Sequence, residues 1–146
     1  MGCGEAKIMA HFEGKPSIKV HSFDLAESRP GVIVADMTKV PLPDASLDIV
    51  IFCLSLMNTN FIDAIREARR LLKPGSGILS IAEVESRFTD GPDAFVSAIQ
   101  GLGFKKTKID TSNKVFWILE FAVADAKNES VDWDKPLLKP CLYKKR

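Results

Sequence analysis

The sequence lacks any run of about 18 consecutive apolar residues, the length that a membrane-spanning helix requires. It also lacks a charged segment followed by a short apolar one at its start, so no secretory leader is predicted. Only three cysteines are present, at positions 3, 53 and 141. An odd number of distant thiols predicts neither a disulfide framework nor a paired metal site. We therefore expect a soluble, intracellular protein with reduced thiols and no metal centre.

A strong excess of charge is also absent. Lys and Arg number 20 against 19 Asp and Glu, so the formal net charge of the 146 residues is +1. This balance excludes a global field that steers the protein to nucleic acid, and any polyanion site must be a local patch. Hydrophobic residues make up 46% and charged residues 27%, which is ordinary for one globular domain. Residues 1–124 are predicted to form that domain, and residues 125–146 a tail packed on it.

Apolar runs alternate with amphipathic segments, and this order predicts an α/β fold. Runs typical of strands cover residues 18–23, 32–35, 47–52 and 78–84. The middle two are almost uninterrupted apolar strings, which predicts a mostly parallel sheet covered by helices on both faces. Helical spacing of apolar residues predicts one helix between Asn60 and Pro74 and another between Asp90 and Gly103. Two final runs, residues 105–110 and 114–123, are predicted to form a C-terminal antiparallel hairpin.

Residues at the ends of the predicted strands form a series that suits a nucleoside ligand. Ligands of open α/β sheets bind beyond the carboxyl ends of the strands. Gly2 and Gly4 form a turn whose missing Cβ atoms let the backbone approach a ligand closely. Asp24 lies 20 residues after Gly4, the spacing at which a carboxylate accepts hydrogen bonds from ribose hydroxyls. Asp36 follows the next run and can accept from the amino group of adenine, with Met37 against the ring.

A second acidic strand end favours S-adenosylmethionine over a dinucleotide. The loop after Gly4 lacks the third glycine of the pyrophosphate-binding GxGxxG pattern. Cys53 ends the third apolar run and completes the predicted cofactor-binding set. Taken singly, each residue has a commoner structural role: Asp24 and Asp36 as helix N-caps, Cys53 as a small buried apolar residue. The ordered set, and no single member of it, predicts the site.

Several segments are similar to one known family: GCG, HSFDLA, ADMTKVPLPDASLDIVIFCLSLMNTN, EARRLLKPGSGIL, IAEVESRF, LGFK and the terminal PCLYKKR. Together they resemble the ribosomal RNA-processing protein 8 family, also called nucleomethylin, over essentially the whole chain. The resemblance implies a Rossmann-like class I methyltransferase that uses S-adenosylmethionine to methylate N1 of an adenosine in large-subunit ribosomal RNA. It also implies a nuclear, nucleolar location, ribosomal RNA as partner and an association with chromatin silencing.

The resemblance implies cofactor contacts at Gly2, Asp24, Asp36, Met37 and Cys53, which coincide with the strand-end series. No catalytic residue is assigned. Adenine N1 carries an in-plane lone pair and needs no base before it attacks the sulfonium methyl group, so positioning can supply most of the catalysis. Methyltransferases that act on the N6 amino group typically place a polar residue, two prolines and an aromatic after the fourth strand. Residues 53–57 read CLSLM instead, which argues against N6 as the target.

Two lysine-rich patches are predicted to neutralise RNA phosphates, with an ordinary solvated surface as the alternative. One contains Lys105, Lys106, Lys108 and Lys114, and the other contains Lys144, Lys145 and Arg146.

The chain departs from the family at the glycine turn. Class I methyltransferases have an apolar strand before this turn, whereas Met1 directly precedes Gly2. The first, central strand is therefore predicted to be missing, together with the family's upstream segment. Unpaired backbone groups on its neighbours would be costly, which predicts self-association through exposed strand edges. Three functions stay open: the rRNA methyltransferase, a non-catalytic RNA or chromatin interaction module, and a small-molecule methyltransferase, since VPLPDASLDIV and LLKPGSG are generic to the superfamily.

Overall fold

A computed structural model describes residues 1–125 and 137–141. Its elements are α1 (Lys7–Phe12), β1 (Ser22–Asp24), β2 (Val32–Val34), β3 (Ile49–Cys53), α2 (Phe61–Leu71), β4 (Ile78–Val84), a 3-10 turn (Glu85–Arg87), α3 (Gly91–Gly101), β5 (Phe104–Asp110) and β6 (Phe116–Val123). Within these described ranges, no helix has both the length and the apolar character needed to cross a membrane.

The strands form two sheets. β1 and β2 pair in parallel, with Asp24 opposite Val34. The second sheet has the order β3, β4, β6, β5; β3 and β4 are parallel, and β6 is antiparallel to both of its neighbours. The predicted hairpin of the last two strands is confirmed, and its second strand also pairs with β4. The α/β class is the predicted one, although two of the four pairings are antiparallel, so the parallel share is smaller than expected.

The main core lies between one face of the four-stranded sheet and helices α2 and α3. Alternate residues of the strands point into it: Val50 and Phe52 from β3, Leu79 and Ile81 from β4, and Leu119 and Phe121 from β6. α2 contributes an apolar stripe at helical spacing, as the sequence predicts. The Asn60 side chain makes no capping hydrogen bond, so the helix start is set by this packing more than by its cap.

The expectation that residues 32–35 and 47–52 are covered on both faces is wrong for the described part of the chain. Ile33 and Val34 are 40% and 60% exposed, and Ile49 is 53% exposed. The reason is that α2 and α3 pack on the same face of the four-stranded sheet, while α1 buries none of its residues. In this protein, an uninterrupted apolar run therefore forms a strand that is exposed on one face of its sheet.

The first strand is shorter than predicted, and the space beside it is bridged by residues 1–3. Of residues 18–23, only Ser22 and Phe23 belong to β1, which pairs with β2 over three residues. The Met1 nitrogen donates to the Ile51 carbonyl at 3.0 Å, and the Cys3 N–H donates to the Phe23 carbonyl at 2.9 Å. These bonds join β3 to β1 next to the glycine turn. Within residues 1–125 and 137–141 no strand lies between β1 and β3, and self-association through their edges stays a prediction.

Residues 137–141 lie against the domain. The Lys139 N–H donates to the Arg87 carbonyl at 2.8 Å, and the Thr89 N–H donates to the Leu137 carbonyl at 3.2 Å. Leu138 is buried in the main core. Residues 126–136 and 142–146 are outside the described part, and with them lie the predicted patch of Lys144, Lys145 and Arg146 and most of the predicted tail.

Candidate functional site

The glycine turn packs directly against the ends of two strands. Gly2 has a φ of +63°, and a Cβ at this position would lie 2.5 Å from the Ser55 Cβ and 3.3 Å from the Met37 Cε. A side chain cannot be accommodated there, and the positive φ also favours glycine. Met37 follows β2 and Ser55 follows β3. The turn and the ends of these two strands therefore converge within contact distance.

Asp24 ends β1 and ties the glycine turn to that strand. Its Oδ2 accepts a hydrogen bond from the Gly4 N–H at 2.7 Å, and its Oδ1 accepts from the Leu25 N–H at 2.8 Å. The Ser28 hydroxyl donates to the Gly4 carbonyl from the other side of the turn. No helix follows Asp24 in residues 25–31, all of which are described, so this carboxylate is not a helix N-cap.

Asp36 lies two residues beyond β2 and is exposed to solvent. Its Oδ1 accepts hydrogen bonds from the N–H and the hydroxyl of Thr38, both at 2.8 Å. These bonds stabilise the charged form and hold the pKa of Asp36 below its ordinary value of 3.8. Residues 37–48 contain no helix, so the N-cap role is excluded here too. Because Asp24 pairs with Val34, both carboxylates lie at the same edge of the β1–β2 sheet, as a shared nucleoside site requires.

A cleft opens beside Asp36, between the end of β2 and the residues that follow β3. Its walls include Asp36, Met37, Ser55, Leu56 and Asn58. Two predicted site residues thus share one cleft, and Gly2 contacts its wall at Met37 and Ser55. A wider open groove lies between α1 and residues 15–20, and its lining includes none of the predicted site residues.

Cys53 and Gly4 lie at the same strand edge and outside the walls of this cleft. The thiol of Cys53 is exposed at the end of β3, so the alternative of a small buried apolar residue is wrong. Gly4 has a φ of +50° and no atom within 4 Å of the position of a Cβ, so its conformation, and not crowding, favours glycine. Both residues are exposed, so a ligand that extends past the cleft can reach them.

The loop after β3 is held by a buried ion pair. Glu83 is 1% exposed, accepts a hydrogen bond from the Leu56 N–H at 3.0 Å and pairs with Arg87 at 2.6 Å. Arg87 also donates to the Leu56 carbonyl at 2.5 Å and to the Lys139 carbonyl at 2.9 Å. Both backbone polar groups of Leu56 are thereby fixed. The buried pair therefore holds the cleft wall next to Ser55 in place, since moving this wall would break both hydrogen bonds of Leu56.

Ser55, Glu83 and Arg87 belong to no motif that predicts a role. A weak signal exists for the ion pair, because Glu83 interrupts an apolar run and an arginine follows four residues later. Ser55 has no such signal. Its position beside Gly2 depends on how segments 53 residues apart pack together, and spacing along the chain does not report on that.

The predicted lysine patch of the described chain lies along the outer strand of the sheet. Lys105, Lys106 and Lys108 are exposed on β5, and Lys114 is exposed in the link that follows it. β5 runs in the same direction as β4, because both are antiparallel to β6. Lys114 therefore emerges at the edge where β3 and β4 end, and the other three lysines lead away from that edge.

The described side chains offer hydrogen-bond acceptors and no metal centre. Within residues 1–125 and 137–141, no group of three or more His, Cys, Asp or Glu side chains is placed to hold a metal ion. Carboxylates at two adjacent strand ends, a turn without Cβ atoms and an apolar Met37 can instead bind a ligand with hydroxyl and amino donors around a flat ring.

Comparisons with known proteins identify similar chains. The sequence profile of a family described as hypothetical methyltransferase matches residues 1–146. The 25S rRNA (adenine(645)-N(1))-methyltransferase of Schizosaccharomyces pombe is 41% identical over 147 residues, which cover 100% of this chain and 46% of that protein. The ribosomal RNA-processing protein 8 of Caenorhabditis elegans is 49% identical over 149 residues, which cover 100% of this chain and 41% of that protein. The chain thus spans less than half the length of these two relatives.

A solved structure shows the same architecture. A variant of the 16S rRNA (adenine(1408)-N(1))-methyltransferase from Catenulisporales acidiphilia superposes with a TM-score of 0.68 and 14% identity, covering 87% of this chain and 84% of that one. At such low identity the likeness shows the fold alone, because one fold hosts many activities. The predicted Rossmann-like class I methyltransferase fold is confirmed.

Proposed function

This chain belongs to the family described as hypothetical methyltransferase, whose profile spans residues 1–146, and from that membership we propose that it is an S-adenosylmethionine-dependent rRNA methyltransferase. Its proposed target is N1 of an adenosine in large-subunit ribosomal RNA. The identity of 49% to a ribosomal RNA-processing protein 8 confirms the family resemblance, and the identity of 41% to a 25S rRNA (adenine(645)-N(1))-methyltransferase supports this target. Ribosomal RNA is accordingly the proposed partner, and the nucleolus the proposed location. A chromatin-silencing association is implied by the resemblance, and no residue of this chain is assigned to it.

One observation carries the proposal: Gly2, Met37 and Ser55 meet at the strand edge that also holds Asp24 and Asp36. Ligands of open α/β sheets bind at this edge. The arrangement fits an adenosyl group, because a turn without a Cβ lies beside two acceptor carboxylates and an apolar side chain. When bound, S-adenosylmethionine supplies a methyl group on a positively charged sulfur.

The carboxylates receive separate roles in this proposal. Asp24 accepts hydrogen bonds from the ribose hydroxyls; its oxygens already accept from Gly4 and Leu25, and each carboxylate oxygen has a second lone pair. Asp36 accepts from the adenine amino group while Met37 packs on the ring. The Thr38 bonds lower the pKa of Asp36 and so extend its charged form to more acidic pH. Gly2, Gly4 and Cys53 complete the proposed cofactor-binding set.

The proposed chemistry asks the chain to bind and orient rather than to move protons. The lone pair of adenine N1 would bond to the methyl carbon while the carbon–sulfur bond of the donor breaks and its electron pair returns to sulfur, so no general base would be required. Holding the two reactants in line can supply much of the rate enhancement. The Glu83–Arg87 pair supports this role by fixing the loop that forms the cleft wall.

RNA contacts are proposed for the lysine patch of the described chain. Lys105, Lys106 and Lys108 form a line of positive charge along β5, with Lys105 and Lys108 on one side of the strand and Lys106 on the other, and Lys114 follows beyond its end. Phosphate neutralisation by such a line makes binding fall as salt concentration rises. Because β6 and β4 separate β5 from β3, an RNA bound along β5 would have to cross the ends of these strands to reach the candidate cofactor site.

Calorimetry with S-adenosylhomocysteine tests the proposal. We expect micromolar binding by this chain, weakened at least about tenfold, or about 1.4 kcal/mol, by Asp24→Ala. Asp93→Ala on the exposed side of α3 is the matched control and is expected to bind like the wild type. Transfer of a labelled methyl group to ribosomal RNA but not to small acceptors then separates the rRNA enzyme from a small-molecule methyltransferase.

A non-catalytic RNA or chromatin interaction module is the second candidate. It is favoured by one observation, namely that only residues 1–3 of the described chain lie between β1 and β3. A folded protein that binds RNA and gives no heat with S-adenosylhomocysteine would support this module and contradict the enzyme.

A further inference from the structure

The hydroxyl of Ser55 is buried without a hydrogen-bond partner. Ser55 is 9% exposed, and within the described part of the chain its Oγ is the buried side-chain polar atom that lacks a partner. Buried hydroxyls in folded proteins are nearly always paired, and leaving one unpaired is costly. Such a group marks a place where a ligand can complete the hydrogen bonding.

The fold places Ser55 in the wall of the cleft. Ser55 lines the cleft together with Asp36 and Met37, and its Cβ faces the Cα of Gly2 closely enough to exclude a side chain there. The next residue, Leu56, is fixed through both its N–H and its carbonyl by the Glu83–Arg87 pair. The Ser55 backbone therefore cannot leave the cleft wall without breaking both hydrogen bonds of Leu56 to this buried pair.

The groups around Ser55 indicate which part of a ligand it meets. Asp36 accepts hydrogen bonds, the Ser55 hydroxyl can donate or accept, and Met37 offers an apolar surface between the turn and the cleft. A purine has an amino donor next to ring-nitrogen acceptors on a flat apolar ring, which matches this set. An amino-acid group with two charged ends does not match it.

We propose that Ser55 is a further ligand-binding residue, whose hydroxyl hydrogen-bonds the nucleoside half of the methyl donor in the cleft beside Asp36. The inference rests on the proposed function, because it takes the donor to be an adenosyl compound. The bond satisfies a hydroxyl that the folded chain leaves unpaired, so it is gained on binding and not exchanged for an existing bond.

The test compares Ser55→Ala with the wild type and with Ser80→Ala, a half-buried serine of β4 outside the cleft. Calorimetry uses S-adenosylhomocysteine and 5'-methylthioadenosine, which keeps the nucleoside and lacks the amino-acid group. We expect Ser55→Ala to weaken the binding of both ligands by about 2- to 13-fold, the factor that one neutral hydrogen bond accounts for. Ser80→Ala should bind both like the wild type. Unliganded Ser55→Ala should unfold at the wild-type temperature or higher, because it removes an unpaired buried group.

Several results would overturn the inference. Equal affinities of Ser55→Ala and wild type for both ligands would do so, as would a loss confined to S-adenosylhomocysteine, which would assign Ser55 to the amino-acid half. A lowered unfolding temperature with unchanged affinities would assign it a purely structural role. A folded wild type that binds neither ligand would overturn the proposed function itself and the inference with it, whereas the first results leave the proposed function standing.

Discussion

The two sheets share one edge of strand ends but are packed very differently. The four-stranded sheet and its two helices enclose nineteen of the described buried residues, whereas the cluster under the two-stranded sheet contains three: Phe23, Val40 and Leu71. Five of the six candidate cofactor residues lie in residues 1–37, and only Cys53 belongs to the four-stranded sheet. The candidate site is thus carried mainly by the weakly packed region, as is common for segments that adapt to a ligand.

Polar contacts to α2 compensate for the small core of that region. The Val40 N–H donates to Glu67 at 2.7 Å, and Arg70 donates to the carbonyls of Val40 and Leu42 at 3.1 and 3.0 Å. Glu67 and Arg70 also pair with each other at 2.6 Å. One helix therefore packs its apolar face into the main core and holds residues 40–42 with its polar face. Apolar burial stabilises the first region, and directed hydrogen bonds order the second.

The largest expected effect comes from two phenylalanines that are equally buried in different regions. Phe121→Ala removes a ring from the main core and should lower the free energy of unfolding by about 3–5 kcal/mol. Phe23→Ala empties the small cluster and should release residues 1–48 while β4 and β6 stay protected. Urea unfolding followed by circular dichroism, with hydrogen exchange resolved by peptide, measures both effects.

The same pair of variants can contradict the comparison. If Phe23→Ala lowers the protection of β4 and β6 as much as Phe121→Ala does, the two regions unfold as one unit. In that case the candidate site would be stabilised by the whole core and not by its local contacts.

An intermediate effect is expected from the polar contacts of α2. The hydrogen bonds from Arg70 outweigh burial and hold the pKa of Glu67 below its ordinary 4.5. A pKa lowered in the folded state stabilises the protein above the ordinary pKa, and this stabilisation is lost as the pH falls through the lowered value. Glu67→Gln should therefore cost about 1–3 kcal/mol at pH 7, and the variant and wild type should converge in acid.

Urea titrations at a series of pH values measure this convergence. Asp63→Asn is the matched control on the same helix, because Asp63 pairs with Arg66 at 2.9 Å where both side chains are more than half exposed. Its effect should be small, since exposed ion pairs contribute little. A difference between Glu67→Gln and wild type that persists undiminished below the lowered pKa would contradict the proposed role of the charge.

The smallest effect concerns the turn at Asp36. Thr38→Val removes the hydroxyl donor and keeps the N–H donor, so the pKa of Asp36 should rise part of the way toward 3.8. At pH 7 the carboxylate is charged in both proteins, so cofactor affinity should be unchanged. On acidification, the affinity of the variant should begin to fall at a higher pH than that of the wild type. Carboxylate resonances followed by NMR during a pH titration report the shift.

A similar turn elsewhere supplies the control for this prediction. Asp110 accepts from the N–H and the hydroxyl of Ser112, which likewise hold its pKa below 3.8. Ser112→Ala should raise the pKa of Asp110 and leave cofactor affinity unaltered at every pH. An equal effect of both variants on affinity would show that the Asp36 turn has no special relation to the ligand.

Local sequence is sufficient to predict a helix or strand whose apolar residues follow the spacing of that element. Apolar residues at helical spacing between Asn60 and Pro74 predict a helix, and α2 forms there as Phe61–Leu71. Residues 78–84 form β4 with the predicted bounds. The sequence also predicts that the strand-end residues lie at one edge of the sheet, because parallel strands bring their carboxyl ends to the same edge. Motifs spread along the chain were enough to indicate the family.

Long-range packing settles the rest. β1 begins later than its apolar run and pairs with β2 over only three residues. One face of the four-stranded sheet is open because both long helices pack on the other. Ser55 meets Gly2, and Glu83 and Arg87 hold Leu56, through contacts between segments far apart in the chain. The spacing of residues reports which side of a segment prefers burial. Spacing carries no information on which distant segment packs against that side. The packing of distant segments is what places Ser55 in the cleft wall.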